Sequence, residues 1–356
     1  MIIKKLTLRN YRNYTFKQLE FKPGINIILG DNGVGKTNIV EAIYYLSLAR
    51  SFRGVDDVDL INYDSEYALI SSKIEIGELT RDITTIISKN GREVTINNKP
   101  IDRLSDLAKS INVILFEPRD VLLFKGSPKE RRNFLDISLT KHTEGYLAAI
   151  SRYNKVLKER NEVLKQDKLD QTLLDTTTEM LIKAAAPIVK YREGYLKDIN
   201  DILNKITRAL TGVHAKIEII YHPFVRNDEN YETNARNAYN KALEADLKSK
   251  ATSIGIHRED FSIDLFGKDI ATFGSQGQNR IVALALKLSP YFLIEDKDKR
   301  PIVVLDDVMS ELDEKHQNIL IKFLKKFEQV FITTTKLKVA GASHYEIKNQ
   351  SLKEVS

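Results

Sequence analysis

The 356-residue sequence predicts an α/β fold: a mixed sheet with flanking helices and an antiparallel β subdomain, interrupted by a short helical arm. Three observations carry that expectation. The apolar run Ile25 to Leu29 leads directly into Gly30-Asp31-Asn32-Gly33-Val34-Gly35-Lys36-Thr37 and then into an amphipathic stretch. Residues 67–96 alternate apolar and polar side chains, the period of half-buried antiparallel strands. From about Pro128 to Gly212 the apolar residues recur at helical spacing, with few turn signals.

Residues 3–29 read as two or three strands, with Leu6 and Leu8 on one face and Phe16, Leu19 and Phe21 close behind. Thr37 to Ala49 reads as a helix whose apolar side is Ile39, Val40, Ile43, Leu46 and Leu48. Asn90-Gly91 is a two-residue hairpin signal. In the arm, Leu147, Ile150, Leu157 and Leu164 form a seam with Asn154 and Asn161 in its other positions. A turn is expected near Asp167 to Asp170, and the returning stripe is Ile188, Tyr191, Tyr195, Ile199, Ile202 and Ile206, with a kink at Pro187. Beyond Ser253 come short strands, a helix from Gln278 to Leu288, a buried strand from Ile302 to Leu305, a helix from Asp313 to Phe327 and a last strand from Val330 to Thr333. The expected division is therefore one α/β domain made of 1–127 and 251–356, with a mainly helical arm, 128–250, inserted into it.

Composition narrows the function classes. A 42% hydrophobic content supports a folded core, and the absence of Cys excludes disulfides and thiolate metal sites. No apolar run approaches the roughly 20 residues of a membrane span, and the first residues lack the apolar core of a signal peptide. A cytoplasmic protein without membrane contact is expected. The net charge of +6 is mild, but the first nineteen residues carry Lys4, Lys5, Arg9, Arg12 and Lys17 with no acid, and Lys129-Glu130-Arg131-Arg132 forms a second basic cluster. Such patches can neutralise phosphates, and they also occur as ordinary solvated surface.

The stretch from Gly30 to Thr37 matches G-x-x-x-x-G-K-[ST]. Its glycines let backbone N–H groups curl around the β- and γ-phosphates, Lys36 supplies a point charge, Thr37 reaches Mg²⁺, and the following helix N-terminus adds its dipole. Ile302-Val303-Val304-Leu305-Asp306-Asp307 is a buried strand ending in two carboxylates, the first suited to hold Mg²⁺ and the second to polarise an attacking water. The long separation of Lys36 from Asp306 argues against a compact nucleoside kinase or small GTPase. A GTPase also needs N-K-x-D, whereas Asn98-Lys99 is followed by Pro100-Ile101, so adenine is the expected base. Gly274-Ser275-Gln276-Gly277-Gln278-Asn279-Arg280 opens a helix and forms a second anion site. One triphosphate rarely needs two such sites, so this one is expected to serve a nucleotide held by another copy; a helix cap is the plain alternative.

Together these motifs resemble the ABC-type ATPase heads of the SMC and Rad50 group: the loop at 30–37, a Ser-Gln-Gly-Gln signature at 275–278, the strand with Asp306-Asp307, and Ser310-Glu311-Leu312-Asp313 after it. More specifically, the chain is similar to the RecF family of bacterial recombination mediators. Leu8-Arg9-Asn10-Tyr11-Arg12, Ser51-Phe52-Arg53, Lys125-Gly126-Ser127-Pro128, Arg131-Arg132-Asn133-Phe134-Leu135-Asp136 and Gly255-Ile256-His257-Arg258-Glu259-Asp260 carry that likeness.

The resemblance implies ATP and Mg²⁺ as cofactors and a head-to-head homodimer on ATP binding. It implies binding to DNA, whether single-stranded, duplex or a junction, and slow, weak ATP hydrolysis that DNA stimulates. It also implies work with RecO and RecR in loading the recombinase at gaps, in replication and in the SOS response. By the same resemblance Arg12, Ser275, Gly277, Gln278, Asp313 and Thr334 join the nucleotide site, and Arg258 faces DNA or nucleotide unless it is tied up in a surface ion pair. Departures from the family pattern are Asp307 where many heads have Glu, Thr where the usual His stands in Phe331-Ile332-Thr333-Thr334-Thr335, and Ile256 where Pro is usual. The ATPase subunit of a membrane transporter shares the loop, signature and acidic strand, but lacks the long helical insert.

Overall fold

The computed structural model describes residues 1–214, 216–348 and 351–355. In chain order its first elements are strands β1 (Ile2–Tyr11), β2 (Tyr14–Glu20) and β3 (Gly24–Leu29), helix α1 (Lys36–Leu48), strands β4 (Tyr67–Ile76), β5 (Leu79–Ser88), β6 (Gly91–Ile96) and β7 (Lys99–Pro100), helix α2 (Leu104–Ser110) and strand β8 (Val113–Phe116). Helices α3 (Pro128–His142), α4 (Tyr146–Leu164) and α5 (Gln171–Thr211) follow, then β9 (Ile217–His222), α6 (Tyr231–Ser249), β10 (Asp260–Leu265), β11 (Lys268–Asp269), α7 (Ile270–Phe273) and α8 (Gln276–Leu293). The chain ends with β12 (Ile302–Asp306), α9 (Glu314–Leu324), β13 (Gln329–Thr334), β14 (Ser343–Lys348) and β15 (Ser351–Val355). Two compact units result. One comprises Met1–Val121, Ile206–Val213 and Leu284–Ser356, and the other Leu122–Lys205 and His214–Ala283.

The first unit holds two six-stranded sheets. One is antiparallel, in the order β2-β1-β4-β5-β6-β7. The other runs β15-β14-β3-β13-β12-β8, with every pair parallel except β14 with β15. Strands β3, β12 and β13 are near-continuous apolar runs because both faces of a parallel sheet are covered. The apolar side of α1 packs into the same core as Leu6, Leu8 and Ile70 of the antiparallel sheet and Ile28, Val304 and Phe331 of the parallel one. Gln329, fully buried, ties the sheets at one end: its amide accepts from Ile3 N at 2.8 Å and donates to Ile3 O at 2.9 Å. Replacing Gln329 would leave these buried backbone groups of Ile3 without that partner.

Two expectations about this unit need correction. The chain does not end its sheet at Thr333, because β14 adds in parallel to β3 and β15 pairs back on β14. The polar alternation Ser-His-Tyr-Glu-Ile-Lys hid β14 from a search for buried runs. The hairpin loop is Lys89-Asn90 and not Asn90-Gly91, since Ser88 pairs with Gly91. Gly91 still sits at φ 120°, a backbone conformation that suits glycine.

The second unit combines the three-stranded antiparallel sheet β11-β10-β9 with helices. The turn between α4 and α5 falls where expected, and α5 buries Ile188, Tyr195, Ile199 and Leu203 while continuing through Pro187. The α4 seam matches only in part: Leu164 is buried as expected, but Leu147 is exposed, and Tyr146, Tyr153, Val156, Arg160 and Val163 are buried on a different stripe. Arg160 explains the difference: its guanidinium donates to Asp246 at 2.8 Å and Thr252 at 2.7 Å, and it stacks 5.2 Å from the ring of Tyr239. A buried ion pair and tyrosine rings build this face, so an aliphatic search could not find it. Among the described residues no helix is long and apolar enough to cross a membrane.

Candidate nucleotide-binding site

The loop between β3 and α1 forms at the carboxyl end of a parallel strand, next to the ends of β12 and β13. Open α/β sheets place ligands at such ends. Gly33 at φ 84° and Gly35 at φ 107° occupy the left-handed region, which lets the loop curl before α1 starts. Lys36 Nζ donates to the carbonyls of Gly30 at 2.7 Å and Asp31 at 2.9 Å, so the ammonium sits inside the curl. Burial lowers the Lys36 pKa, and Asp307, Asp306 and Asp31 oppose that shift. Asn38 N already donates to Gly35 O at 3.0 Å, so the amides of Lys36 and Thr37 that start α1 are the ones that add to this positive concavity.

The acids at the end of β12 meet the loop. Thr37 Oγ1 donates to Asp306 Oδ1 at 3.2 Å, and Thr333 Oγ1 donates to the same oxygen at 2.6 Å. Burial pushes the Asp306 carboxyl up, against the hydrogen bonds from Thr333 and Thr37. Asp307 follows at φ 51°, and its Oδ1 is buried with no hydrogen-bond partner among the described residues. Thr334 is buried at the end of β13, paired in register with Leu29. The structure thus brings together Lys36, Thr37, Asp306, Asp307 and Thr334, residues nearly the whole chain apart. A hydroxyl, a carboxylate already bonded to it, and a buried carboxylate oxygen left unpaired are a hard-oxygen donor set that fits Mg²⁺. Thr37 and Asp306 are the residues that would hold it.

Several participants were not legible in the motif. Tyr14 donates to Gly35 O at 3.1 Å, and Asn13 donates to Val34 O at 3.3 Å while accepting from Asn38 at 2.8 Å. A Cβ on Gly35 would lie 2.7 Å from Asn13 Nδ2 and would displace the Asn13 and Tyr14 side-chain ends that brace the loop, while φ 107° favours glycine outright. Arg12 donates twice to Glu41 of α1, at 2.9 and 2.7 Å, and once to the carbonyl of Asp59. Glu41 is fully buried, also accepts from Ser51 and lies 3.9 Å from Arg53. Arg12 and the Ser51-Phe52-Arg53 stretch therefore converge on one carboxylate. Only Glu41's place among apolar neighbours on α1 hinted at it.

The Ser-Gln-Gly-Gln segment belongs to the second unit. Ser275 and Gln278 form a reciprocal cap on α8, Ser275 N donating to Gln278 Oε1 at 2.8 Å and Gln278 N to Ser275 Oγ at 3.2 Å. Gly277 is exposed, its φ lies outside the left-handed region, and a Cβ added there would meet nothing within 4 Å. Asp313, exposed, caps α9 by accepting from His316 N and pairs with the His316 ring at 2.7 Å; the bond from His316 N, then that to the ring, hold its carboxyl below the usual range.

The second basic cluster is not a free patch. Arg131 makes a bidentate pair with Asp260, both bonds at 2.7 Å, and donates to three backbone carbonyls; Arg132 donates to Glu259 O at 2.7 Å. Their geometry serves the fold of the second unit. Arg258 is the opposite case: it is exposed, and its guanidinium makes no ion pair among the described residues.

Strand order, phosphate loop and paired acids define the head of an ABC-type ATPase. The profile of the RecF/RecN/SMC N terminal domain matches residues 2–352. The DNA replication and repair protein RecF of Lachnoclostridium phytofermentans is 38% identical over 339 residues, which are 94% of this chain and 93% of that protein. That of Geobacillus kaustophilus is 37% identical over 367 residues, covering 100% of this chain and 98% of the relative. A solved structure of the recombination mediator protein RecF with ATP, in the RecFOR pathway, superposes with a TM-score of 0.91 at 32% identity, covering 99% of this chain and 97% of that one. The Smc head domain of Pyrococcus furiosus shares the fold, with a TM-score of 0.57 at 18% identity over 99% of this chain and 95% of that one. The chain belongs to the RecF family.

Proposed function

We propose that this protein is an ATP-gated DNA-binding protein of recombinational repair and replication. Two heads close on two ATP molecules, clamp DNA at gaps or at single-strand to duplex junctions, and part after slow hydrolysis; the head is 1–127 with 251–356 and the arm 128–250. RecO and RecR are its partners in loading the recombinase and in the SOS response. The observation that carries the paired arrangement is Gly277. Nothing in its own chain requires glycine there, since φ is ordinary and the space is open, whereas a partner's γ-phosphate docking on the α8 N-terminus would. ATP that binds the closed pair more tightly than the separate heads stabilises that pair by mass action, so DNA affinity follows the nucleotide state. Mg²⁺, held by Thr37 and Asp306, would supply positive charge that offsets the phosphates. Lys36 and the loop amides hold the triphosphate, Thr37 and Asp306 present oxygens to the metal, and Asp307 takes the proton side of water activation. The transporter reading is not favoured, because the full-length relatives are RecF proteins.

DNA binding measured with and without ATP tests this reading. Retention on DNA only with ATP is expected, and equal affinity in both conditions would reject the gate. Lys36→Ala should weaken ATP binding by about 10- to 100-fold, the value of a charge-assisted bond in a partly desolvated site; unchanged affinity by calorimetry would remove the loop from the mechanism. DNA affinity should also fall steeply with salt. Alanine at Arg9 or Arg258, both exposed, should each flatten the log–log slope by about 0.9. A slope unmoved by either change would place the DNA elsewhere.

A further inference from the structure

We propose that Thr333 is the positioning residue of this site: its one hydroxyl aims the Asp306 carboxylate at the metal and holds the backbone of Asp307 in its turn. The inference rests on the ATPase reading above. Thr333 is fully buried and is the register partner of Asp306 across the parallel pair β12 and β13. Its Oγ1 donates to Asp306 Oδ1 at 2.6 Å and accepts from Asp307 N at 2.9 Å. A hydroxyl has one proton, and the Asp307 N–H can only donate, so the proton must point at Asp306. The rotor is thereby set by two partners at once.

Both partners need it. Asp307 sits at φ 51°, a region that residues with a Cβ rarely adopt, and its amide would be an orphaned donor without this acceptor. Asp306 has a second hydroxyl, Thr37, but at 3.2 Å and on the helix that meets the nucleotide. The bond from β13 is shorter and is carried by the rigid sheet. Of the three successive threonines, Thr333 alone touches the acids among the described residues. Residues that orient metal ligands commonly change metal affinity or activity by about 10- to 100-fold when removed.

Thr333→Val keeps shape and strand preference but removes the hydroxyl, and Thr333→Ser keeps the hydroxyl. The experiment uses the full chain and a fluorescent ATP analogue, titrated with Mg²⁺ and separately in chelator, alongside hydrolysis and thermal unfolding. The Val variant should bind the analogue in chelator as the parent does. It should need about tenfold more Mg²⁺ for half-maximal effect and should hydrolyse at least about tenfold more slowly. The Ser variant should restore both. A folded Val variant with the parent's Mg²⁺ dependence overturns the proposal, as does a Ser variant as impaired as Val. If the parent itself binds no ATP analogue with Mg²⁺, the ATPase reading fails and this inference with it.

Discussion

Ser275→Arg is expected to leave ATP binding intact and to abolish ATP-induced dimers, lowering hydrolysis by roughly 100-fold or more and removing ATP-stimulated DNA binding. The side chain of Ser275 is exposed, and among the described residues its hydroxyl bonds only Gln278 N, its half of the reciprocal cap. Losing that cap costs about 1 kcal/mol, too little to unfold a domain. The bulk of Arg instead occupies the place where the proposed partner's γ-phosphate must dock, and catalytic effects of this size are typical when a transition-state donor is lost. Asp307→Asn should act in reverse. Its Oδ1 is buried without a partner and its N–H is held by Thr333, so Asn fits the same space while losing the base. Dimers should then persist on ATP. Light scattering with Mg²⁺ and ATP reads both variants, and a Ser275→Arg protein that still dimerises would rule out the paired heads.

Arg192→Met should destabilise the second unit by about 3–5 kcal/mol, the usual cost of leaving a buried partner uncompensated. Arg192, 1% exposed, donates to Glu259 Oε2, Asp136 Oδ1 and Ile256 O at 2.8 Å each, and to Tyr146 at 3.2 Å. Glu259 in turn accepts from Tyr221 and from Phe224 N, so it stays buried when the guanidinium leaves. Lys at 192 keeps a charge but cannot reproduce the fork, and should recover only part of the loss. Urea unfolding followed by two probes checks this, since two units need not melt together. A midpoint equal to the parent's would mean that Glu259 finds other partners.

The stripe on α5 was readable because aliphatic side chains at helical spacing have one physical use, burial. The stripe on α4 was not, because Arg160 can be buried only with Asp246, a residue on another helix, as its ion-pair partner. The pairing of Arg131 within the cluster at 129–132 was hidden for the same reason: charge is local in a sequence, but its neutralisation by Asp260 and by carbonyls is not. In the phosphate loop the reverse holds, since Gly33, Gly35, Lys36 and Thr37 act through their own backbone and through a helix that begins within the motif. Such chemistry needs no distant partner to be recognised.

By itself, then, the sequence determined the local pieces: the strand-loop-helix that curls around phosphate, the acidic strand and the helical stretch between them. Each depends on backbone conformation or periodicity within about a dozen residues. The tertiary structure alone decided that Thr333 bridges Asp306 and Asp307, that Asn13 and Tyr14 brace the loop, that Glu41 gathers Arg12 and Ser51, and that β14 closes on β3. These are pairings between residues far apart in the chain, and their energies come from desolvation and hydrogen-bond geometry that exist only once the sheets have formed.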